Sequence, residues 1–409
     1  MGFYAQEFSV RQTLQWSLGV LPFIYFVVFS DWVRRPSITI DAIASGGFQC
    51  PAYFQQCDVL YILRSLPFGY SQTVLYMVLF GLLVWVVYLL SEKKWHEAQL
   101  LLIVPYVWHG ANVFVFTGHA SGNYEYYIIC FATVILFFPH KEFFAKLTLV
   151  TLYMLSTVAK IHSAWIAGSY FTNLQLGMPF VPEWSIPVWT NVVICMEMIG
   201  AWYLLSKHVL LQRVALSFFV FFHLYSGILV EYRYPATVLP MILVLFGPWY
   251  LWSQIPLDKK SILGWGFIAL LFLFQFLPKL IDGDEKLTLE GNKYGLYMFE
   301  SNHQCISEII FFSKDGATST RTEIGVSARN RCEPYGFWFK YNQMCATDAS
   351  LERIAWTFDH SINGNDFLRI VDVPDVCNLE YKAFSHNTWI KTNEDNPPSV
   401  GKPVKNYYR

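Results

Sequence analysis

The chain has 409 residues, of which 54% are hydrophobic and only 14% charged, with a net charge of −1. Soluble domains carry about 25% charged residues, so the shortage points to lipid as a surrounding solvent, and nothing in the charge balance points to nucleic acid. Aromatics reach 18%, with 15 Trp, which suits a chain that crosses many membrane–water interfaces.

A bilayer core of about 30 Å takes about 20 mostly apolar residues per helix. On that measure the spans lie near 12–30, 74–91, 98–117, 124–139, 147–165, 187–206, 213–231, 236–253 and 262–279. The first has no basic stretch before it and reads as a span rather than a cleavable signal. Basic residues cluster after the even-numbered spans: Lys93 and Lys94, then Lys141 and Lys146, then Lys207 and Arg213, then Lys259 and Lys260. The loops 118–123 and 166–186 carry no Lys or Arg. The positive-inside rule therefore predicts a cytoplasmic N-terminus and an extracytoplasmic C-terminus. Arg34, Arg35 and Arg64 run against this, but they sit in a first outer loop of about forty residues, where charge weighs less.

The cysteines give an independent reading. Cys130 and Cys195 fall within spans and read as packing residues, whereas Cys50, Cys57, Cys305, Cys332, Cys345 and Cys377 all fall in segments assigned outside. An even number confined to one side implies disulfides in an oxidising compartment. Cys50 with Cys57 would close a small loop; the other four allow three pairings. From residue 282 the composition turns polar, and stretches such as Gly295–Phe299, Glu308–Phe312 and Phe367–Val371 read as strands between Gly, Asn and Asp turns. The expected architecture is mainly α: a polytopic bundle of about nine spans over 1–281, followed by a small, mostly β extracytoplasmic domain over 282–409, with a loose tail after Asn393.

Ionisable groups inside a membrane are costly and mark functional candidates. Lys160 stands near the outer end of the fifth span, and helical spacing puts Tyr153, Ser156, Thr157, Lys160 and Ser163 on one face. An amine kept from water gives up its proton more readily and becomes a competent general base. The structural alternative is an interfacial lysine snorkelling to headgroups. Glu197 in the sixth span, His223 in the seventh, and His109 with Asn112 in the third each admit a plain packing role beside a functional one. A further polar group gathers at the outer level: His119, Ser121, Asn123, Tyr124 and Glu125, with Glu231 and Arg233.

The segment Lys160-Ile161-His162-Ser163-Ala164-Trp165-Ile166-Ala167-Gly168 resembles the Lys-Leu-x-x-x-Trp-x-x-Gly stretch of the vitamin K-dependent γ-glutamyl carboxylases and of their wider relatives, the horizontally transferred transmembrane proteins. Asn123-Tyr124-x-Tyr126, Glu197 and Phe222-His223 follow in matching order, and the likeness covers about residues 10–255. The resemblance implies a lysine base, Lys160, acting on reduced vitamin K or another quinol. In the family, oxidation of the quinol drives carboxylation of a substrate glutamate. It also implies a pocket shaped by His223, Glu197, Asn123, Tyr124, His162 and Trp165, and no metal. Two departures stand out. The carboxylases have a histidine where this chain has Tyr124, and their animal members carry a much larger lumenal part. The implied partners are the lipid membrane and a secreted protein or peptide on the outer face. The competing reading is a non-enzymatic scaffold, or a maturation and export partner for a secreted protein or toxin peptide. The chain contains no Asn-x-Ser/Thr sequon, which leans toward a bacterial inner membrane over an endoplasmic reticulum one.

Overall fold

The computed structural model describes residues 6–33, 50–56, 71–116, 123–172, 178–229, 232–281, 286–292, 294–295, 303–326, 332–362 and 366–392. Cys57, Arg34, Arg35, Arg64, His119, Ser121, Glu231, residues 296–299 and the tail after Thr392 lie outside them, as does the side chain of Asn123.

Each apolar stretch carries a helix. These are α1 (Gln12–Val33), α2 (Ser71–Ser91), α3 (Trp95–Ala111), α4 (Asn123–Phe137), α5 (Lys141–Val158), α6 (Ile186–Cys195), α7 (Val209–Leu229), α8 (Arg233–Phe246) and α9 (Ile262–Phe276). Two helices run on as π turns, α3 through Asn112–Phe116 and α6 through Met196–Gly200. Six of the helices, α1, α2, α3, α6, α7 and α9, are long and apolar enough with their extensions to cross a membrane. Helices α4 and α8 are shorter, 15 and 14 residues. Pro139 lies two residues past the end of α4, and Gly247-Pro248 follows α8 directly. A proline cannot continue the hydrogen-bond ladder, so each apolar run is longer than the helix it yields.

The fifth stretch departs from expectation. Its helix covers 141–158, not 147–165, so Lys160 and Ser163 lie past its end and the polar stripe stops at Thr157. The chain turns through Ala159–Lys160, with Ile161 N–H bonded to the Val158 carbonyl and His162 N–H to that of Lys160. His162 is extended, and a one-turn helix begins at Ser163. No Gly or Pro marks this break, which is why hydropathy reads straight through it. Nearly every residue of α5 is buried, Lys141, Lys146, Thr148 and Thr151 included. A helix buried all round, yet this polar, needs protein rather than lipid around it.

The chain divides into two compact units, residues 1–157 with 195–272 and residues 158–194 with 273–409. The first unit is the helical bundle. Leu14, Leu18, Leu21, Tyr25, Phe29 and Trp32 form one fully buried stripe of α1 at three- and four-residue spacing. In α9, Gly264 lets the Phe144 ring of α5 approach so closely that a Cβ would fall 2.3 Å from it. Cys130 is buried, but Cys195 is exposed on its helix, which corrects its expected role as a packing residue.

The second unit carries a four-stranded antiparallel sheet in the order β2-β1-β3-β4, with β1 His303–Ser313, β2 Thr318–Val326, β3 Leu351–Ile362 and β4 Leu368–Val373. The expected strands at 308–312 and 367–371 fall within β1 and, apart from Phe367, within β4. A helix, α10 (Pro334–Thr347), is added between β2 and β3. Its buried Tyr335, Trp338 and Phe339 follow the i, i+3, i+4 spacing of a one-sided helix. The core joins them to Trp356 and Phe358 of β3. Trp356 donates to Ser307 Oγ at 2.9 Å, and Tyr341 Oη lies 2.7 Å from the same oxygen. Of the three open pairings, the disulfides are Cys305–Cys332 and Cys345–Cys377. They tie the approach to α10 to β1, and the end of α10 to the segment after β4. Cys50 is also disulfide-bonded.

Candidate functional site

The expected site residues fall into two sets, one in each unit. In the second unit the Lys160 segment is a compact aromatic joint. Lys160 is 6% exposed, and its Nζ lies 5.5 Å from the centre of the Trp165 ring. Trp165 stacks on Tyr170 with ring centres 5.3 Å apart, meets Phe171 edge-on at 5.0 Å, and donates its indole N–H to the Thr190 carbonyl at 3.3 Å. Asn191 donates to the Ile166 carbonyl at 2.8 Å, and so ties this segment a second time to α6.

The glycine of the Trp-x-x-Gly motif has a physical reason here. Gly168 sits at φ +74°, a conformation other residues rarely adopt, and a Cβ there would lie 2.8 Å from the Ile186 side chain. Trp165 and Gly168 therefore act together: one stacks and anchors, the other lets α6 close in. His162 is half-buried at the extended position before the short helix.

In the first unit α5 and its neighbours bury a polar network. Tyr153 Oη hydrogen-bonds to His223 Nε2 of α7. Thr157 Oγ1 lies 2.8 Å from Glu197 Oε2 and 2.7 Å from the Tyr153 carbonyl, so one hydroxyl proton serves two acceptors. Glu197 is fully buried within the π turn that extends α6; such turns are rare and recur at functional sites. Tyr127 Oη lies 3.3 Å from Ser156 Oγ, and the Tyr127 ring meets Tyr153 edge-on at 5.6 Å. Tyr234 closes the group, its ring 4.8 Å from that of His223.

Helix α4 distributes its first turns among three such contacts, because successive residues project about 100° apart. Tyr124 Oη lies 3.3 Å from Arg233 Nη1, which also pairs with Asp31 at 2.7 Å. Glu125 pairs with His109 at 2.5 Å, both side chains fully buried. Tyr127 points to α5. His109 and Glu125, read separately in the sequence, form one pair joining α3 to α4. Tyr25 and Trp32 of α1 face the imidazole at 5.7 and 5.4 Å. The second polar atoms, His109 Nδ1 and Glu125 Oε1, have no protein partner among the described residues.

Asp31, Tyr127 and Tyr234 were not singled out in the sequence. Asp31 is the one carboxylate in an otherwise uncharged α1, a signal that was present; tyrosines in an aromatic-rich chain carry none. Chemically, the network offers a phenol–imidazole pair and a hydroxyl–carboxylate pair, groups that hold and pass protons. Among the described residues no three His, Cys, Asp or Glu side chains gather in a way that would hold a metal ion.

Comparison of the chain with protein-family models, with characterised proteins and with solved structures gives no match. The likeness to the carboxylases rests on the motif residues themselves.

Proposed function

We propose that the chain is a multi-pass membrane enzyme of the horizontally transferred transmembrane type, with Lys160 as its base and a quinol as cofactor. It acts on a secreted peptide or a lipidic substrate. It has nine spans, a cytoplasmic N-terminus and the disulfide-braced sheet on the outer side, in a bacterial inner membrane or, in a eukaryote, the endoplasmic reticulum.

The observation that carries the reading is the placement of Lys160. A lysine on a membrane protein's outer rim would ordinarily extend to headgroups. Lys160 is instead held at 6% exposure beside the Trp165 ring, within the motif that suggested it. The neighbourhood suits a flat aromatic cofactor in kind: an amine for a phenolic hydroxyl, and the rings of Trp165, Tyr170 and Phe171 for an apolar body. Lys160 and Trp165 are the residues that would hold it. Bound there, a quinol supplies an acidic hydroxyl and reducing power. Lys160 Nζ would take up the proton of such a hydroxyl, and the Trp165 ring covers one side of that amine. Within the bundle, His223 holds Tyr153, and Thr157 holds Glu197, in fixed orientation by the hydrogen bonds described above.

The test is quinol-dependent epoxide formation, with molecular oxygen as the oxidant, by the purified protein in lipid nanodiscs, wild type against Lys160→Ala. Loss of a positioned base lowers rate about 10²–10⁴-fold, and a loss of that size, with the melting temperature unchanged, is the expected result. Full in vivo function in Lys160→Ala would remove the enzyme reading and leave the scaffold role.

A further inference from the structure

The sheet of the second unit has two edges, and they differ. Outside β4 the chain returns: Val371 bridges to Ile390, and Lys391 N–H donates to the Ile370 carbonyl at 2.7 Å. Outside β2 no strand lies among the described residues. Strand β2 is nine residues long, and Thr318 through Thr322 are exposed on both faces. Ile324 is 49% exposed. A long edge without proline, rich in β-branched residues, is a template for another strand.

The side chains say which strand. Arg321 and Glu323 flank Thr322, two residues apart on one face of β2. When β2 pairs antiparallel with a second β2 about a two-fold axis at Thr322, Arg321 of each copy lies opposite Glu323 of the other. Thr320 then lies opposite Ile324, and Thr322 opposite itself. A shift centred on Arg321 sets arginine against arginine; one centred on Glu323 sets glutamate against glutamate. Opposed like charges are unfavourable and opposed unlike charges favourable, so the edge selects one register with itself. Within one copy Glu323 lies 2.8 Å from Lys340 of α10 and 3.2 Å from Arg321, so pairing across the axis would add a second arginine to a carboxylate that already has partners of its own.

We infer that this protein forms a two-fold dimer through the β2 edge, with Arg321 paired to Glu323 across the axis and the two sheets continuous as eight strands. Such an interface is isologous and closes on itself.

The test uses the full chain in nanodiscs. Opposed residues of an antiparallel pair have Cα atoms about 4.5–5.5 Å apart, inside disulfide range. Thr322→Cys is therefore expected to give a covalent dimer under mild oxidation. Thr318→Cys, displaced from its mate by about 27 Å of strand, and the unaltered protein are expected to give none. Arg321→Glu and Glu323→Arg each set like charges across the axis, and each alone is expected to weaken dimerisation about tenfold or more by light scattering. Mixed together, the two variants regain opposite charges and pair as a heterodimer. A wild-type monomer, a dimer that Thr322→Cys fails to link, or a mixture no tighter than its components would overturn the proposal; folding of each variant is followed by its melting temperature.

Discussion

The bundle and the C-terminal sheet solve the same problem by different means. In the bundle the polar groups are buried in pairs drawn from separate helices, such as His109 with Glu125, Tyr153 with His223 and Thr157 with Glu197. Lipid offers no hydrogen bonds, so a polar side chain there must find its partner inside the protein. In the sheet the covalent links Cys305–Cys332 and Cys345–Cys377 supplement a small core built on Trp356, Tyr341 and Trp338. The bundle is specified by which polar groups meet, the sheet by which ends are tied.

If that contrast holds, the sheet should fail on reduction while the bundle does not. The two disulfides span 27 and 32 residues, and loop-closure entropy puts each at about 3.5 kcal/mol. Reductant is expected to expose the segment 303–392 to protease and leave the far-ultraviolet helical signal in place. A matching loss of helix would show that the units stand or fall together.

In the bundle, breaking one pair should outweigh replacing it. His109→Ala leaves the Glu125 carboxyl buried beside Tyr25 without its imidazole, a change that costs about 3–5 kcal/mol. His109→Phe combined with Glu125→Leu removes both polar groups and is expected to fall within about 1 kcal/mol of wild type in detergent melts. An equal loss in the single and the double variant would make the pair a matter of shape rather than charge.

Gly168→Ala is next in size. Holding a side chain at φ +74° costs about 1–2 kcal/mol, before the 2.8 Å approach to Ile186 is relieved. A lower melting temperature is expected, together with altered fluorescence of the packed Trp165. Thr157→Val removes one hydrogen bond from a buried carboxyl and is expected to cost about 1–3 kcal/mol in the same melts; no change would mean that Glu197 is held by its other contacts.

The smallest effect belongs to the sheet and depends on pH. The hydroxyl and then the backbone N–H of Ser350 hydrogen-bond to Asp348 and hold its carboxyl below the usual carboxylate range. A depressed acid stabilises the turn above its unfolded value near 3.8, and that contribution fades as pH falls through the lower folded value. The protection of the Ser350 amide, its exchange rate relative to the intrinsic rate at the same pH, should therefore fall on acidification below about pH 4, and Asp348→Asn should remove that dependence.

Much of this protein follows from local chemistry alone. Apolar runs of about 20 residues make helices wherever they occur. Alternation made 308–312 a strand, and an even number of cysteines outside the apolar runs implied the links. Lys160 stood out as an ionisable residue near the end of an apolar run, whereas Trp165 and Gly168 were marked only by the resemblance to the carboxylase segment. What tertiary structure decided were matters of distance across the chain. It ended α5 at Val158 with no breaker in the sequence, so Lys160 sits in a turn rather than on the stripe that led to it. It chose one of three cysteine pairings, placed α10 between strands, and brought Glu125 to His109 and Asp31 to Arg233. A side chain's type and neighbours in sequence say what it needs; only the packed chain says which residue, tens to hundreds of positions away, supplies it.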